Sequence, residues 1–285
     1  MSDRAGLPPL RQIVRQHGLV ARRSLGQHFL LDLNLTRKIA RAADAIDQGT
    51  VIEIGPGPGG LTRALLIEGA RKVIGIETDP RCLGALAEIA AAYPGRLEVI
   101  QGDALEIDVF GLGDPPRQIV ANLPYNISTA LLVRWLGSIG AFARLTLMFQ
   151  KEVADRLLAR PGSKDYGRLT VLTQWLTVVK PLFNVPAAAF SPPPKVDSTV
   201  VQITPRPAPL YPADRASLEK ITAAAFGQRR KMLRQSLRQV TPDPRALLSA
   251  AGIQETARAE QIDIGGFCAL ARALKLPRHR SGAAG

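Results

Sequence analysis

The sequence contains little cysteine and little histidine: two Cys and three His occur among 285 residues. Cys82 and Cys268 lie far apart and match no metal-binding spacing, and two cysteines provide no disulfide framework. The three histidines are too scattered along the chain to indicate a metal site. We therefore expect no metal, and the low cysteine content favours a reducing, cytoplasmic location.

Long hydrophobic runs are also absent. No apolar stretch approaches the roughly 20 residues that a membrane-spanning helix needs, and the first residues lack the apolar stretch of a secretory signal. Hydrophobic residues still make up 46% of the chain, which is enough for a sizeable core in one large domain or two smaller ones. We expect a monomer that has no membrane partner.

Acidic residues are scarce at both ends of the chain. Residues 1–30 carry five Arg against one Asp, and residues 206–285 carry 14 basic against six acidic residues. Residues 31–205 are close to balance, with 18 basic and 17 acidic residues. The net charge of +13 is therefore concentrated at the two ends, which indicates a polyanionic partner.

Short apolar runs alternate with helical patterns through the middle of the chain. Strands that alternate with helices predict an α/β fold with a mostly parallel sheet and right-handed crossovers. Residues 169–179 are apolar and fit either a helix or a strand. The predicted strands are 50–54, 72–77, 97–102, 118–121, 145–149 and 199–204.

A proline-rich stretch at residues 205–209 interrupts this pattern and marks a predicted domain boundary. Before it we place a basic N-terminal arm, residues 1–30, and the α/β domain, residues 31–205. Beyond it, residues 206–285 show only helical patterns and form a small basic domain. The predicted helices there are 212–225, 229–240, 243–251 and 260–274.

Three consecutive strands of the predicted sheet end next to a polar residue. Glu77 ends one strand, Asp103 follows the next, and Asn122 follows the one after that. In open α/β sheets, ligands bind outside the carboxyl ends of the strands. The three side chains therefore predict a binding rim along one edge of the sheet.

A glycine-rich loop, Gly55–Gly60, follows the strand at 50–54. Its Gly-x-Gly-x-x-Gly spacing, with Glu77 about 20 residues further on, matches a nucleotide-cofactor fingerprint. The spacing alone does not separate a nicotinamide cofactor from a nucleoside cofactor. Glu53 precedes the loop and suits a cofactor that bears a cationic ammonium, and Asp103 can accept a hydrogen bond from an adenine amino group.

The stretch Asn122-Leu123-Pro124-Tyr125-Asn126 leaves its strand with an amide, a proline turn and an aromatic ring. The Asn122 oxygen and a backbone carbonyl at Leu123 or Pro124 can accept both hydrogens of an exocyclic amine. Tyr125 can stack on the base that carries this amine. The alternative is a rigid turn in which Tyr125 only packs, since Asn and Pro are common turn residues.

A second basic cluster lies in the C-terminal part, where no acidic residue occurs between Glu219 and Asp243. On the predicted helix 229–240, Lys231, Arg234 and Arg238 share one face, and such a row can contact phosphates. The alternative is a solvated basic face without a partner.

Several segments resemble the ribosomal RNA adenine dimethyltransferases. Glu53–Gly59 is similar to the cofactor loop of class I S-adenosylmethionine-dependent methyltransferases, and Asn122–Ser128 is similar to the amino-methylating motif of the RNA-modifying family. Gly26–Leu30, Phe190–Ser198 and Phe226–Lys231 resemble its small-subunit (16S) branch. The resemblance covers residues from about 22 to 274.

This resemblance implies a class I, Rossmann-like methyltransferase domain with a small helical domain after it. The implied reaction is the transfer of methyl groups from S-adenosylmethionine to N6 of two adjacent adenosines near the 3′ end of small-subunit ribosomal RNA. The implied partner is this RNA or the 30S precursor particle, within small-subunit biogenesis.

The resemblance also implies roles for individual residues. His28 stands where many relatives have Asn, and both side chains can hydrogen-bond. The implied cofactor-binding residues are His28, Leu30, Gly55, Glu77, Asp103 and Asn122. The implied catalytic residues are Asn122, Leu123, Pro124, Tyr125 and Phe190. Among them, the rings of Tyr125 and Phe190 would hold the extruded base by stacking. The residues assigned to RNA binding are Arg22, Arg23, Arg229, Arg230, Lys231, Arg234 and Arg238.

Three other functions compete with this interpretation. A dimethyltransferase that acts on large-subunit (23S) RNA would share the motifs, but residues 190–198 and 228–231 favour the small-subunit branch. A non-catalytic RNA-binding or assembly factor with the same fold would not need the intact stretch from Asn122 to Tyr125. An NAD-dependent dehydrogenase would leave the two basic ends unexplained.

Overall fold

The computed structural model of the protein describes residues 6–22 and 26–274, which fall into two compact units. The first unit comprises the chain up to residue 158 together with residues 177–207. The second comprises residues 159–176 together with the chain from residue 208. The division differs from the predicted one because residues 159–176 belong to the same unit as the C-terminal part. Sequence composition does not reveal such an association between distant segments.

The first unit is built on a seven-stranded sheet, whose order along the sheet is β4 (97–101), β3 (72–77), β2 (50–54), β5 (117–122), β6 (144–150), β9 (198–205) and β7 (177–185). Strands β4 to β6 in this order are parallel, whereas β9 runs antiparallel to both β6 and β7. The two-residue strands β1 and β8 form a separate antiparallel pair. The prediction of a mostly parallel α/β sheet is confirmed. The strands are β1 Phe29–Leu30, β2 Thr50–Ile54, β3 Lys72–Glu77, β4 Leu97–Gln101, β5 Arg117–Asn122, β6 Arg144–Gln150, β7 Thr177–Val185, β8 Phe190–Ser191 and β9 Ser198–Pro205.

The central strands are buried along most of their length because neighbouring elements cover both faces of the sheet. All five residues of β2 are buried, which is the pattern of a parallel strand covered on both faces. Helices pack on one face and share a core with Val51 and Val73 of the sheet, through residues such as Ile39 and Leu65. The helices of this unit are α1 Leu10–Gln16, α2 Leu33–Ala42, α3 Gly60–Ile67, α4 Leu83–Ala92, α5 Ser128–Trp135 and α6 Lys151–Leu158.

The second unit is helical. Asp214 and Asp263 begin two of its helices by accepting backbone N–H groups from Ser217 and Gly266, which are the caps expected of aspartate at that position. Phe267 is fully buried in its core. The helices are α7 Arg168–Leu176, α8 Arg215–Gly227, α9 Leu233–Ser236, α10 Pro244–Ala250 and α11 Ile264–Ala273.

The predicted helix 229–240 is wrong in its first half. Residues 228–230 form a turn and Lys231 lies in a bend. Helix α9 begins only at Leu233, and the chain continues as a short 3₁₀ helix to Gln239. Met232 is extended and pairs with Arg258 in an isolated antiparallel bridge. This bridge removes Met232 from the helical conformation, although the local sequence pattern favours a helix there.

Two further observations concern the described residues only. No helix among residues 6–22 and 26–274 has the length and apolar character needed to cross a membrane. Within the same ranges, no group of three or more His, Cys, Asp or Glu side chains is placed to hold a metal ion.

Candidate active site

A cleft opens at the carboxyl ends of the central strands. Along the sheet order, the segments after β4, β3, β2 and β5 contribute to it, and a second wall comes from the residues that lead into β1. This is the position at which open α/β sheets bind ligands. The residues predicted to bind the cofactor all line it: His28, Leu30, Gly55, Glu77, Asp103 and Asn122.

The glycine-rich loop passes close to both neighbouring walls. Gly55 and Gly57 have φ angles of +66° and +56°, a conformation that side chains other than glycine rarely adopt. A Cβ atom at Gly55 would lie 3.4 Å from the Pro124 ring, and one at Gly57 would lie 3.3 Å from the Phe29 ring. The loop therefore needs glycine for its backbone at both positions, and Gly57 also leaves space for Phe29, whereas a Cβ atom at Gly55 would make an ordinary contact with Pro124.

Two buried carboxyl groups face the cleft. Glu77 accepts the backbone N–H of Gly57 at 2.7 Å and that of Asp79 at 2.8 Å, and burial raises the pKa of its carboxyl group. Glu53 accepts the Thr62 hydroxyl at 2.7 Å, and burial raises the pKa of Glu53 to about 8. Among the described residues, no basic side chain is a partner of either carboxyl group, so a cation or hydroxyl groups of a ligand would stabilise the ionised forms.

Asn122 is the last residue of β5, and its side chain has a defined orientation. Its Nδ2 donates to the backbone carbonyl of His28 at 3.1 Å. Because a carbonyl oxygen can only accept, the amide nitrogen must point to His28, and Oδ1 is the acceptor that Asn122 offers to the cleft. Leu123, Pro124 and Tyr125 line the cleft beside it.

His28 joins the cleft to the loop that contains Phe190. Its Nδ1 lies 2.8 Å from the carbonyl oxygen of Pro192, so Nδ1 carries the proton in this contact. The His28 ring lies 5.4 Å from the Tyr125 ring and 6.4 Å from the Phe190 ring. Phe190 is buried, pairs with Leu30 across β1 and β8, and lies behind His28, so it does not itself line the cleft.

Tyr125 and Asp103 occupy opposite ends of the cleft's polar rim. The Tyr125 hydroxyl lies 2.7 Å from Ser198 Oγ, which ties the proline turn to the first residue of β9. Burial raises the pKa of the Tyr125 hydroxyl, so it stays a neutral phenol. Asp103 is exposed, and its Oδ1 accepts the backbone N–H of Leu105 at 2.8 Å, which fixes the turn after β4.

The basic residues assigned to RNA lie in different settings. Arg229 donates to the carbonyl groups of Tyr166 and Ser163 and lies 3.3 Å from Glu260, so its guanidinium group holds the second unit together. Arg230, Lys231 and Arg238 are exposed, whereas Arg234 is half-buried and lies 3.9 Å from Glu255. Arg22 is exposed, and Arg23 lies outside the described residues.

A basic cavity that was not predicted lies in the second unit. Arg234 and Arg238 line it together with Arg245 from α10. Arg245 also lies 3.1 Å from Glu255, the same carboxylate that Arg234 approaches. The three cations therefore form a cluster around one cavity rather than a row along one helix.

Two other residues that the sequence analysis missed are Gln27 and Asp79. Gln27 lines the cleft and donates to Asp79, which lies two residues beyond the end of β3. Asp79 could have been predicted as a site residue because it lies so close to Glu77 at the end of β3. Its partner Gln27, 52 positions earlier, could not be predicted from the local sequence.

The residues around the cleft fit a cationic nucleoside cofactor better than a dinucleotide. The described lining includes two buried carboxyl groups and neither Lys nor Arg. A pyrophosphate would place negative charge next to Glu53 and Glu77, whereas an amino-acid ammonium, a sulfonium and ribose hydroxyls would each gain from these acids. This donor set agrees with the methyl donor that the sequence motifs imply.

Comparison with known proteins points to the same chemistry. A family model described as ribosomal RNA adenine dimethylase matches residues 18–276. Ribosomal RNA small subunit methyltransferase A of Rhodospirillum rubrum is 67% identical over 269 residues, covering 94% of this chain and 93% of that protein. The protein of the same name from Paramagnetospirillum magneticum is 63% identical, with coverage of 95% and 96%.

Solved structures agree with this relationship. A dimethyladenosine transferase from Plasmodium falciparum matches with a TM-score of 0.72 at 28% identity, covering 85% of this chain and 96% of that one. The 23S rRNA methyltransferase ErmE matches with a TM-score of 0.64 at 30% identity, covering 87% and 100%. The class I methyltransferase fold is thereby confirmed, and a methyl donor of the S-adenosylmethionine type follows from it. The chain belongs to the ribosomal RNA adenine dimethylase family, as its motifs predicted.

Proposed function

We propose that the protein transfers methyl groups from S-adenosylmethionine to N6 of two adjacent adenosines near the 3′ end of small-subunit ribosomal RNA. The single observation that carries this proposal is the orientation of Asn122, whose amide nitrogen is bound to the His28 carbonyl and whose oxygen is offered to the cleft. Relatives that are 63% and 67% identical bear the small-subunit name, whereas the 23S enzyme is 30% identical, which supports the small-subunit substrate.

The cofactor would lie between the two walls of the cleft. Glu53 would meet its ammonium group, Glu77 its ribose hydroxyls, and Asp103 its adenine amino group. His28 and Leu30 would close the opposite wall, where the carbonyl oxygen of Leu30 already lies against Gly60. When bound, S-adenosylmethionine supplies an electrophilic methyl group, so the protein's task is to position the nucleophile.

The nucleophile is a poor one, because the lone pair of an aromatic amine is delocalised into the ring. Hydrogen bonds from N6 to the Asn122 oxygen and to a backbone carbonyl at Leu123 or Pro124 would favour a pyramidal nitrogen. Its lone pair would then point at the methyl group, which is mainly an effect of orientation. After the transfer, the nitrogen would lose a proton to water at the exposed rim of the cleft, where Asp103 lies.

The target base must leave its helix to reach this cleft. Tyr125 lines the cleft and is held by Ser198, so its ring is placed to stack on the extruded adenine. Phe190 supports His28 from behind, and its stacking on the base stays a prediction.

The RNA partner would be bound by the basic residues of the second unit and by the N-terminal arm. The cavity with Arg234, Arg238 and Arg245 offers three guanidinium groups, which suit phosphate oxygens. The 30S precursor particle as substrate, the monomeric state and the cytoplasmic location stay predictions of the sequence.

The test uses ribosomal subunits from cells that lack this protein. Small and large subunits are incubated separately with the protein and S-adenosylmethionine, and N6,N6-dimethyladenosine is mapped by mass spectrometry. We expect two adjacent dimethyladenosines near the 3′ end of the small-subunit RNA and none in the large-subunit RNA. Modification confined to the large subunit would support the rival enzyme, and no modification of either would support a non-catalytic factor.

A further inference from the structure

One wall of the cofactor cleft is joined to the loop after β3 by a hydrogen bond between two side chains that do not belong to the predicted site. Gln27 Nε2 donates to Asp79 Oδ2 at 2.9 Å. The other end of the same carboxamide, Oε1, accepts the backbone N–H of Arg22 at 2.9 Å. Gln27 therefore uses both its donor and its acceptor, and its side chain is fixed between the arm and the loop after β3.

Asp79 is a buried anion with a defined partner. Its side chain is inaccessible to solvent, and Arg81 donates to both of its oxygens at 2.9 and 2.5 Å. The Arg81 guanidinium, together with Gln27, lowers the pKa of Asp79 to about 2 despite its burial. Arg81 also donates to the carbonyl oxygen of Val20 at 3.1 Å, so the ion pair contacts the arm at a second point.

Asp79 is also connected to the carboxylate that faces the cofactor cleft. Its backbone N–H donates to Glu77 Oε1 at 2.8 Å, and the other Glu77 oxygen accepts from Gly57 of the glycine-rich loop at 2.7 Å. A continuous set of hydrogen bonds therefore runs from Gln27 through Asp79 and Glu77 to Gly57. Asp79 itself does not line the cleft.

The described residues between Leu19 and Phe29 are not buried in an apolar core. Leu19 and Phe29 are buried, but none of the described residues between them is, and Val20 is 74% exposed. The position of Gln27 therefore depends on its polar contacts. Hydrogen bonds to a charged, buried partner are stronger than those between neutral groups, so the bond to Asp79 can hold Gln27 in place.

We propose that Asp79 is a positioning residue of the cofactor site, which holds Gln27 and the adjoining wall of the cleft in register with Glu77. The proposal rests on the proposed function, because it assigns the two walls to S-adenosylmethionine. Asp79 acts through Gln27 and Glu77 and touches neither the cofactor nor the adenine. Its loss should therefore weaken cofactor binding while the chemical step at saturating cofactor is retained.

The test reverses the direction of the Gln27–Asp79 hydrogen bond. Gln27→Glu keeps the shape and the acceptor for the Arg22 N–H but places a second carboxylate against Asp79. Asp79→Asn removes the charge that binds Gln27 and Arg81. We expect each single variant to weaken S-adenosylmethionine binding, measured by calorimetry on the full chain, by about tenfold or more. The double variant restores a donor at position 79 opposite a carboxylate at position 27 and returns the lost negative charge. Arg81 still loses the acceptor that it had at Asp79 Oδ2, so the double variant should regain part of the affinity.

The matched control is Glu88→Gln. Glu88 also binds the N-terminal arm, through His17 at 2.7 Å, but it lies outside the cleft. This variant should bind S-adenosylmethionine like the wild type. Melting temperatures are measured for all variants. If the bond between positions 27 and 79 were only structural, the single variants would be less stable, and the double variant would not regain cofactor affinity.

The outcomes separate the two proposals. A rise in KM for the cofactor with unchanged kcat in both single variants, partly rescued in the double variant, supports the positioning role. Wild-type affinity in the single variants, or additive losses in the double variant, would overturn it while the methyltransferase function stands. Failure of the wild-type protein to bind S-adenosylmethionine would instead refute the proposed function.

Discussion

At the scale of single residues, Asn122 has the most specific surroundings. We expect Asn122→Ala to reduce methyl transfer by at least about a hundredfold, because the variant loses the acceptor that orients N6. Cofactor affinity should largely survive, since Glu53, Glu77 and Asp103 remain in place. The measurement compares single-turnover methylation of RNA with calorimetric binding of S-adenosylmethionine.

Asn126→Ala is the control for this prediction. Asn126 lies in the same turn and is exposed, and it does not line the cleft. The Asn126→Ala variant should methylate RNA at a rate close to that of the wild type. An Asn122→Ala variant that still dimethylated RNA at that rate would rule out the orienting role of the carboxamide.

The raised pKa of the Glu53 carboxyl group predicts that cofactor binding depends on pH. Its pKa of about 8 in the free protein means that the carboxyl group is mostly protonated at about pH 7. A bound ammonium favours the carboxylate and lowers this pKa, so binding should release a proton and affinity should rise as pH increases toward 8. Calorimetry in two buffers with different ionisation enthalpies measures this proton release.

Glu53→Gln removes the titrating group and keeps the acceptor for the Thr62 hydroxyl. The variant should bind S-adenosylmethionine more weakly and lose the buffer dependence near neutral pH. Asp103→Asn, which removes a carboxylate from the exposed rim of the same cleft, serves as the comparison and should keep the proton release. The same release in Glu53→Gln as in the wild type would show that another group titrates.

At the scale of secondary-structure elements, the short pair β1 and β8 aligns the cofactor wall with the loop that follows Phe190. Leu30 pairs with Phe190 in this ladder, and His28 extends it through the bond from Nδ1 to the Pro192 carbonyl. A pair of strands with two residues each is too short to be stable by itself. The side-chain bond of His28 therefore contributes to the alignment of the two segments.

This arrangement predicts different effects for two amide substitutions at position 28. In His28→Asn the amide nitrogen can occupy the place of Nδ1 and donate to Pro192, whereas in His28→Gln the longer side chain places it elsewhere. We expect His28→Asn to stay within a few-fold of the wild-type kcat/KM and His28→Gln to lose about tenfold. Equal activities of the two variants would show that the bond to Pro192 has no part in catalysis.

At the scale of the whole molecule, charge separates the two units. The acids that face the cleft lie in the first unit, whereas the second carries the cluster of cations around the basic cavity. Replacing Lys231, Arg234 and Arg238 with Gln should weaken RNA binding and reduce the slope of log K against log salt by about two to three units. Cofactor affinity and the fold should be retained.

A matched variant controls for the loss of net charge. Arg160, Arg168 and Lys220 are exposed cations of the same unit outside the basic cavity, and their replacement with Gln removes the same charge. This control should change the salt slope less. Equal slopes in both triple variants would show that the cavity has no special role, and a wild-type slope in the first variant would leave the arm or the first unit as the RNA contact.

The parallel sheet, the glycine-rich loop and the polar rim could be predicted because each depends on neighbouring residues. Gly55 and Gly57 need positive φ angles that their own identity permits, and Glu77 and Asn122 stand at strand ends whatever surrounds them. The stretch from Asn122 to Tyr125 is likewise a local signal. The sequence by itself therefore determined the fold class, the place of the cleft and the family.

Contacts between distant segments were decided only by the tertiary structure. The amide of Asn122 is oriented by a carbonyl 94 positions away, and the bond between Gln27 and Asp79 spans 52 positions. Met232 leaves the helix that its neighbours favour because it pairs with Arg258. Arg229 has the sequence surroundings of a phosphate ligand. In the structure it donates to two backbone carbonyl groups of residues 159–176, a segment that belongs to the same unit. Local propensities fix which elements form, whereas the partner of a polar side chain depends on which segments the fold brings within hydrogen-bonding distance.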